Sequence, residues 1–151
     1  CRLCCFFDIF WFHRCCILAH MQEQPHWRKI LLRTEATALK YENDISKLSE
    51  DTGCPLCKSE EEIQQFEYWI QMKNKYPYDR YFSKSDMLVL KRHVPEKDIT
   101  DTERAEFLHI KNEVLAEQYD SVLNHFTSQK SIPDHHHVHI VQYRRIDGLS
   151  R

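Results

Sequence analysis

Glycine is nearly missing from this chain of 151 residues: there are two, with five prolines. That scarcity excludes collagen-like and low-complexity readings. A dominant charge is missing as well, since 21 basic residues face 23 acidic ones and the formal net charge is -2. No overall basic field exists to drive sequence-independent binding to nucleic acid. Residues 1–20, CRLCCFFDIFWFHRCCILAH, are apolar and aromatic, but Asp8, His13 and Arg14 break them below membrane-crossing length. The same stretch lacks an initiating Met, a basic leading region and a small-residue cleavage site, so it does not read as a signal peptide. No internal repeat or long linker is evident. What remains, 42% apolar and 29% charged residues, is the composition of one soluble globular domain.

Seven cysteines are present, five of them (Cys1, Cys4, Cys5, Cys15, Cys16) within the first sixteen residues. An odd count with adjacent pairs fits a disulfide framework poorly, and an isolated Cys54-Pro55-Leu56-Cys57 favours metal or redox use in a reducing, cytoplasmic compartment. Composition turns polar at Met21, so residues 1–20 read as an upstream or non-native extension, 21–50 as an N-terminal helical segment and 51–146 as the main domain. A second metal site built from Cys1, Cys4, Cys15 and Cys16 is an alternative for the extension.

Trp27 to Leu48 spaces its apolar residues at helical intervals, which predicts one or two amphipathic helices. Asp51-Thr52-Gly53 is a turn placed directly before Cys54, with Gly53 bending the backbone. Phe66 to Lys73 alternates with period two, and Met87 to Lys91 is a short apolar run; both are expected strands. Thr100-Asp101-Thr102-Glu103 matches a capping box. Leu108, Leu115, Tyr119, Val122 and Phe126 recur at three, four and seven residues, which predicts one long helix from Asp101 to about Thr127, with one face on a sheet. His137 to Tyr143 is the last expected strand.

The densest chemical signal is Asp134-His135-His136-His137-Val138-His139-Ile140-Val141. On a strand, His135, His137 and His139 share one face at roughly 7 Å spacing. A neutral imidazole there can attack phosphorus while a protonated neighbour binds a phosphate oxygen or the leaving group. A bare histidine cluster can also be a tag, a loose metal-binding tract or a solvated loop. Here, however, the run is internal and passes into an apolar strand. His136 reads as a packed or partly exposed imidazole. His13, His20, His26, His109 and His125 have no supporting spacing.

The pattern His135-x-His137-x-His139-Ile140-Val141 resembles that of the histidine triad superfamily, in which three histidines alternate with apolar residues. Upstream, MLVLKRHV (Met87 to Val94) looks like the family's strand leading to a Lys-x-His segment, and ITDTE (Ile99 to Glu103) like the start of its long helix. The resemblance covers roughly Cys54 to Arg144. It implies an α+β fold: an antiparallel twisted sheet bearing the triad strand and packed on a long helix, often dimerising, so that a homodimer is expected. It implies a nucleotide or nucleotide-conjugate substrate, with His137 as the nucleophile forming a covalent nucleotidyl intermediate on the α-phosphate and His139 contacting the phosphate or leaving group. Strand backbone N–H groups, Ser131 and Lys130 are candidates to hold the phosphate, and the nucleoside is expected near Phe66 to Met72 and the Tyr76 to Phe82 loop. Two departures put the substrate in doubt: His136 stands where the family has an apolar residue, and SQKSIPD lacks the family's Gly-Gln-Ser type of loop.

Cys54 and Cys57 have the spacing at which two thiolates grip one ion. A thioredoxin-like motif and a pair of buried cysteines are the rivals, although no βαβ context supports the former. A branch of the family that this chain resembles carries zinc on such a pair, on a histidine after the central strand and on the first triad histidine. That likeness implies a closed structural zinc site of Cys54, Cys57, His93 and His135. The implied activity is nucleotide hydrolase or nucleotidyl transferase; the alternative is a non-catalytic, zinc-stabilised binding module.

Overall fold

The computed structural model describes residues 32–48, 53–59 and 61–145. The readings made on residues 1–31, on Asp51 and Thr52 and on the last residues of the chain lie outside them. Helix α1 (Glu35–Leu48) is followed by strands β1 (Glu62–Gln65), β2 (Trp69–Lys73) and β3 (Phe82–Leu90). Helix α2 (Asp101–His109), β4 (Ser121–Leu123) and β5 (His137–Tyr143) complete an α+β arrangement. The five strands form one antiparallel sheet in the order β1-β2-β3-β5-β4. Among the described residues no helix is long and apolar enough to cross a membrane.

Strand alternation divides the sheet into two chemically different faces. Trp69, Leu88, Leu90, Val138 and Ile140 point to one side and form the main core with Ile110, Leu115 and Tyr119. The register pairs Trp69 with Leu90 and Leu88 with Val138, so these side chains stack across three strands. On the other face, His137 pairs with Val89 and His139 with Met87. A smaller core of Tyr78, Phe82 and Val141 lies there, with Leu32 and Leu123 against it.

The capping box at α2 forms as expected. Thr100 Oγ1 accepts from Glu103 N at 3.3 Å, and Glu103 Oε2 accepts from Thr100 N at 2.7 Å. Glu103 is only 4% exposed, and Arg92 donates to both its oxygens, from Nε at 2.9 Å and Nη2 at 2.8 Å. These bonds hold the Glu103 carboxyl down at about pKa 2, Arg92 being the larger cause.

The single long helix to Thr127 is not what forms. Helix α2 ends at His109 and runs into a wide π turn, Ile110–Leu115. Ile110 and Leu115 are five residues apart and both fully buried, which α-helical spacing would place on different faces and the wider turn brings onto one. Past the turn, Val122 and Leu123 pair with Ile140 and His139 of β5 and extend the sheet by one strand. Asp120 N donates to Val141 O at 2.9 Å, so backbone pairing with β5 takes over from the helical ladder. Phe126, expected on the apolar stripe, is 85% exposed and Leu108 is 48% exposed.

Two strands also differ from their expected bounds. β3 extends back to Phe82, and the expected strand over Phe66 to Lys73 begins at Trp69. Phe66 and Tyr68 instead sit in the hairpin joining β1 to β2, where they pack against the main core. The amides of Glu67 and Tyr68 are tied to the Glu106 carboxylate at 2.8 and 2.7 Å.

Candidate functional site

Cys54 to Lys58 form a tight turn, with Cys57 N donating to Cys54 O at 3.2 Å. Gly53 enters this turn at φ +149°, a backbone region that glycine adopts freely and side-chain-bearing residues rarely do. The turn lies against the segment after β3 and the bend before β5. Cys54 Sγ is 3.3 Å from His135 Nδ1, and Cys57 Sγ is 3.3 Å from His93 Nδ1 and 3.4 Å from His135 Nδ1. All four donor atoms lie within 4.8 Å of one another and could hold a metal ion. The four residues named from the sequence are thus brought together.

The donors fit that use. His135 Nε2 faces the carbonyl of Leu90 at 2.6 Å, a contact only an N–H can make favourably. Its proton is therefore on Nε2, and Nδ1 presents a lone pair to the thiols. Burial and the neighbouring Cys54 push the Cys57 thiol up, so a cation between the sulfurs is what would hold both as thiolates.

His135 does not belong to the strand. β5 starts at His137, and His135 occupies the bend before it, which turns its ring to the cysteines. His137 and His139, with ring centroids 5.8 Å apart, line a cavity of about 1100 Å³ that Cys54 and His93 also line. His137 Nδ1 lies 2.8 Å from the backbone oxygen of His135. That oxygen can only accept, so Nδ1 carries the proton and Nε2 keeps its lone pair. Burial pushes His137 down to about pKa 4 and holds His139 well below the ordinary histidine range. The same burial favours the neutral form of both rings.

His136 points to the opposite face of the sheet. Its ring meets Trp69 edge-on at 5.6 Å, its amide donates to Val94 O at 2.8 Å, and burial takes it down to about pKa 4. It is a packed core imidazole. The Lys130 side chain is almost wholly buried beside it, paired with Glu96 at 3.4 Å, and is not among the residues lining the cavity. Ser131 does line the cavity and is hydrogen-bonded to the Tyr41 hydroxyl.

The region before the turn closes the cavity from the side of α1. Asp79 accepts from Thr34 N at 2.7 Å, Thr34 Oγ1 at 2.8 Å and Thr37 Oγ1 at 2.6 Å. The buried Arg33 guanidinium lies over the rings of Tyr41 and Tyr78, at 4.3 and 4.7 Å, and its Nε donates to Tyr76 O at 3.1 Å. Arg33, Tyr41, Asn74, Tyr78 and His125 all line the cavity, and none was singled out from the sequence. Tyr41 lies on α1 and the others in irregular stretches, and neither spacing nor motif marks any of them. Of the two stretches expected to wall the cavity, the Tyr76 to Phe82 loop contributes Tyr76 and Tyr78, whereas Phe66 to Met72 contributes none of the lining and Met87 and Phe126 complete the apolar wall. No protein-family model matches the chain, and no curated protein matches it.

Proposed function

We propose that the chain is a zinc-stabilised nucleotide hydrolase or nucleotidyl transferase with a histidine triad-like fold, acting at the α-phosphate of a nucleotide conjugate. The observation that carries this reading is the His137 Nδ1–H bond to the His135 carbonyl. It presents an unprotonated Nε2 in a cavity large enough for a nucleotide. A neutral, oriented imidazole is a competent nucleophile toward phosphorus, and a covalent intermediate divides one displacement into two easier ones.

Cys54, Cys57, His93 and His135 would hold the zinc. With four protein ligands it leaves no position for water, and its contribution is structural. The carbonyl that orients His137 belongs to His135, so the metal ligand and the nucleophile are fixed by the same residue. His139 lines the cavity beside His137, and Ser131 is a further candidate at the cavity wall. A second copy of the chain and a cytoplasmic setting belong to the same reading.

The test is turnover of adenosine phosphoramidate and of dinucleoside polyphosphates by the purified chain and by His137→Ala. Turnover lost in His137→Ala with fold and metal content intact supports the enzyme. Equal rates for the two proteins would overturn it in favour of a binding module.

A further inference from the structure

A chain of hydrogen bonds runs along the cavity wall from Asn74 to His125. Asn74 Oδ1 accepts from Tyr76 N at 3.0 Å, which fixes the orientation of the amide. Its Nδ2 therefore faces His139 Nδ1, at 3.3 Å, as the donor. Nδ1 must carry the lone pair, so neutral His139 has its proton on Nε2. That N–H donates to the Tyr78 hydroxyl oxygen at 3.0 Å, and the Tyr78 hydroxyl donates in turn to His125 Nε2 at 2.9 Å. Every donor points in one direction, and the chain reaches a half-buried histidine outside the triad.

This arrangement removes His139 as a proton donor to a leaving group. A second proton on its ring would have to sit on Nδ1, against the amide N–H of Asn74. A departing amine or alkoxide still needs a proton. Tyr78, His125 and His139 line the same cavity as His137, with the His125 and His139 ring centroids 5.5 Å apart.

We propose that Tyr78 and His125 deliver the proton to the leaving group, an inference that rests on the nucleotidyl-transfer reading above. Protonation of His125 makes its Nε2 a donor to the Tyr78 oxygen and turns the Tyr78 hydroxyl proton toward the cavity. In the first step the His137 Nε2 lone pair forms a bond to phosphorus, and the bond from phosphorus to the leaving group breaks. The leaving atom takes the Tyr78 proton, Tyr78 takes one from the His125 imidazolium, and His125 ends neutral. In the second step a water oxygen bonds to phosphorus, the His137–phosphorus electron pair returns to Nε2, and a water proton passes through Tyr78 to His125. The two steps add one water across the original bond and restore both histidines. Tyr78 touches the reacting atoms; His125 is a positioning residue that acts through it.

The experiment compares two substrates: a nucleoside phosphoramidate, whose amine leaves with a proton, and a nucleotide p-nitrophenyl ester, whose phenolate leaves without one. In His125→Gln and Tyr78→Phe, the single-turnover rate of leaving-group release, which reads the first step alone, should fall by about 100-fold or more for the phosphoramidate, while for the ester it changes by less than about 3-fold. Equal losses on both substrates would assign the pair a packing role and overturn the relay, as would unchanged rates on both. Failure of the unsubstituted chain to turn over either substrate removes the nucleotidyl-transfer reading, and the relay with it. Nitrogen NMR of the unsubstituted protein gives a readout free of turnover: the relay requires Nε2–H on neutral His139 and Nδ1–H on neutral His125, and the opposite tautomer on either overturns it.

Discussion

Replacing Glu103 by Gln tests how the segment that carries His93 is anchored. The carboxylate is buried, receives two bonds from Arg92 and caps α2 through Thr100, and Arg92 is the immediate neighbour of His93. Its pKa of about 2 against an ordinary 4.5 corresponds to an upper bound of about 3 kcal/mol favouring the ionised folded form. Arg92 is 45% exposed, so water screens part of this and about 2 kcal/mol is expected. The folded pKa is the depressed one. The contribution is therefore complete above the unfolded pKa and is lost as pH falls through the folded one. Urea unfolding of both proteins at pH 7 and pH 3 reads the difference. The gap of about 2 kcal/mol at pH 7 should shrink by more than half at pH 3. A gap that is the same at both values would refute the electrostatic account and leave only altered packing.

Other outcomes follow from the same contacts. Cys54→Ser and Cys57→Ser should each lower the zinc content found by elemental analysis and melt at lower temperature; full metal content in either would contradict the proposed zinc site. Leu88→Ala, at the centre of the main core, should cost about 2–5 kcal/mol in denaturant unfolding, and a loss below 1 kcal/mol would misplace it. Asp79→Ala removes the acceptor for three bonds from Thr34 and Thr37 and should raise amide hydrogen exchange in α1 by about tenfold or more while β5 stays protected. Equal changes in α1 and β5 would contradict a local anchoring role for Asp79.

Local signals carried the parts of the fold that local physics decides. Period-two alternation found β5 and β2, a short apolar run found the end of β3, and Thr100 with Glu103 found the start of α2 to the residue. The end of that helix was hidden because its apolar spacing continues through Val122 and Phe126. Only tertiary context, the pairing of Ser121–Leu123 with β5, decides for strand there. β1 was hidden for another reason: all its residues are exposed, so it has no alternation to read. The metal cluster was legible through Cys-x-x-Cys and the resemblance of its surroundings. Asn74, Tyr78 and His125 were not, because each acts through a partner more than ten residues away.

His137 Nε2 as the atom that bonds phosphorus is the central claim. Rapid-quench intact-mass spectrometry during turnover of adenosine phosphoramidate, with peptide mapping of the adduct, measures this directly. A nucleotidyl adduct on His137 that forms and decays at the rate of turnover is the predicted result. Turnover without an adduct, or an adduct on another residue, would contradict it.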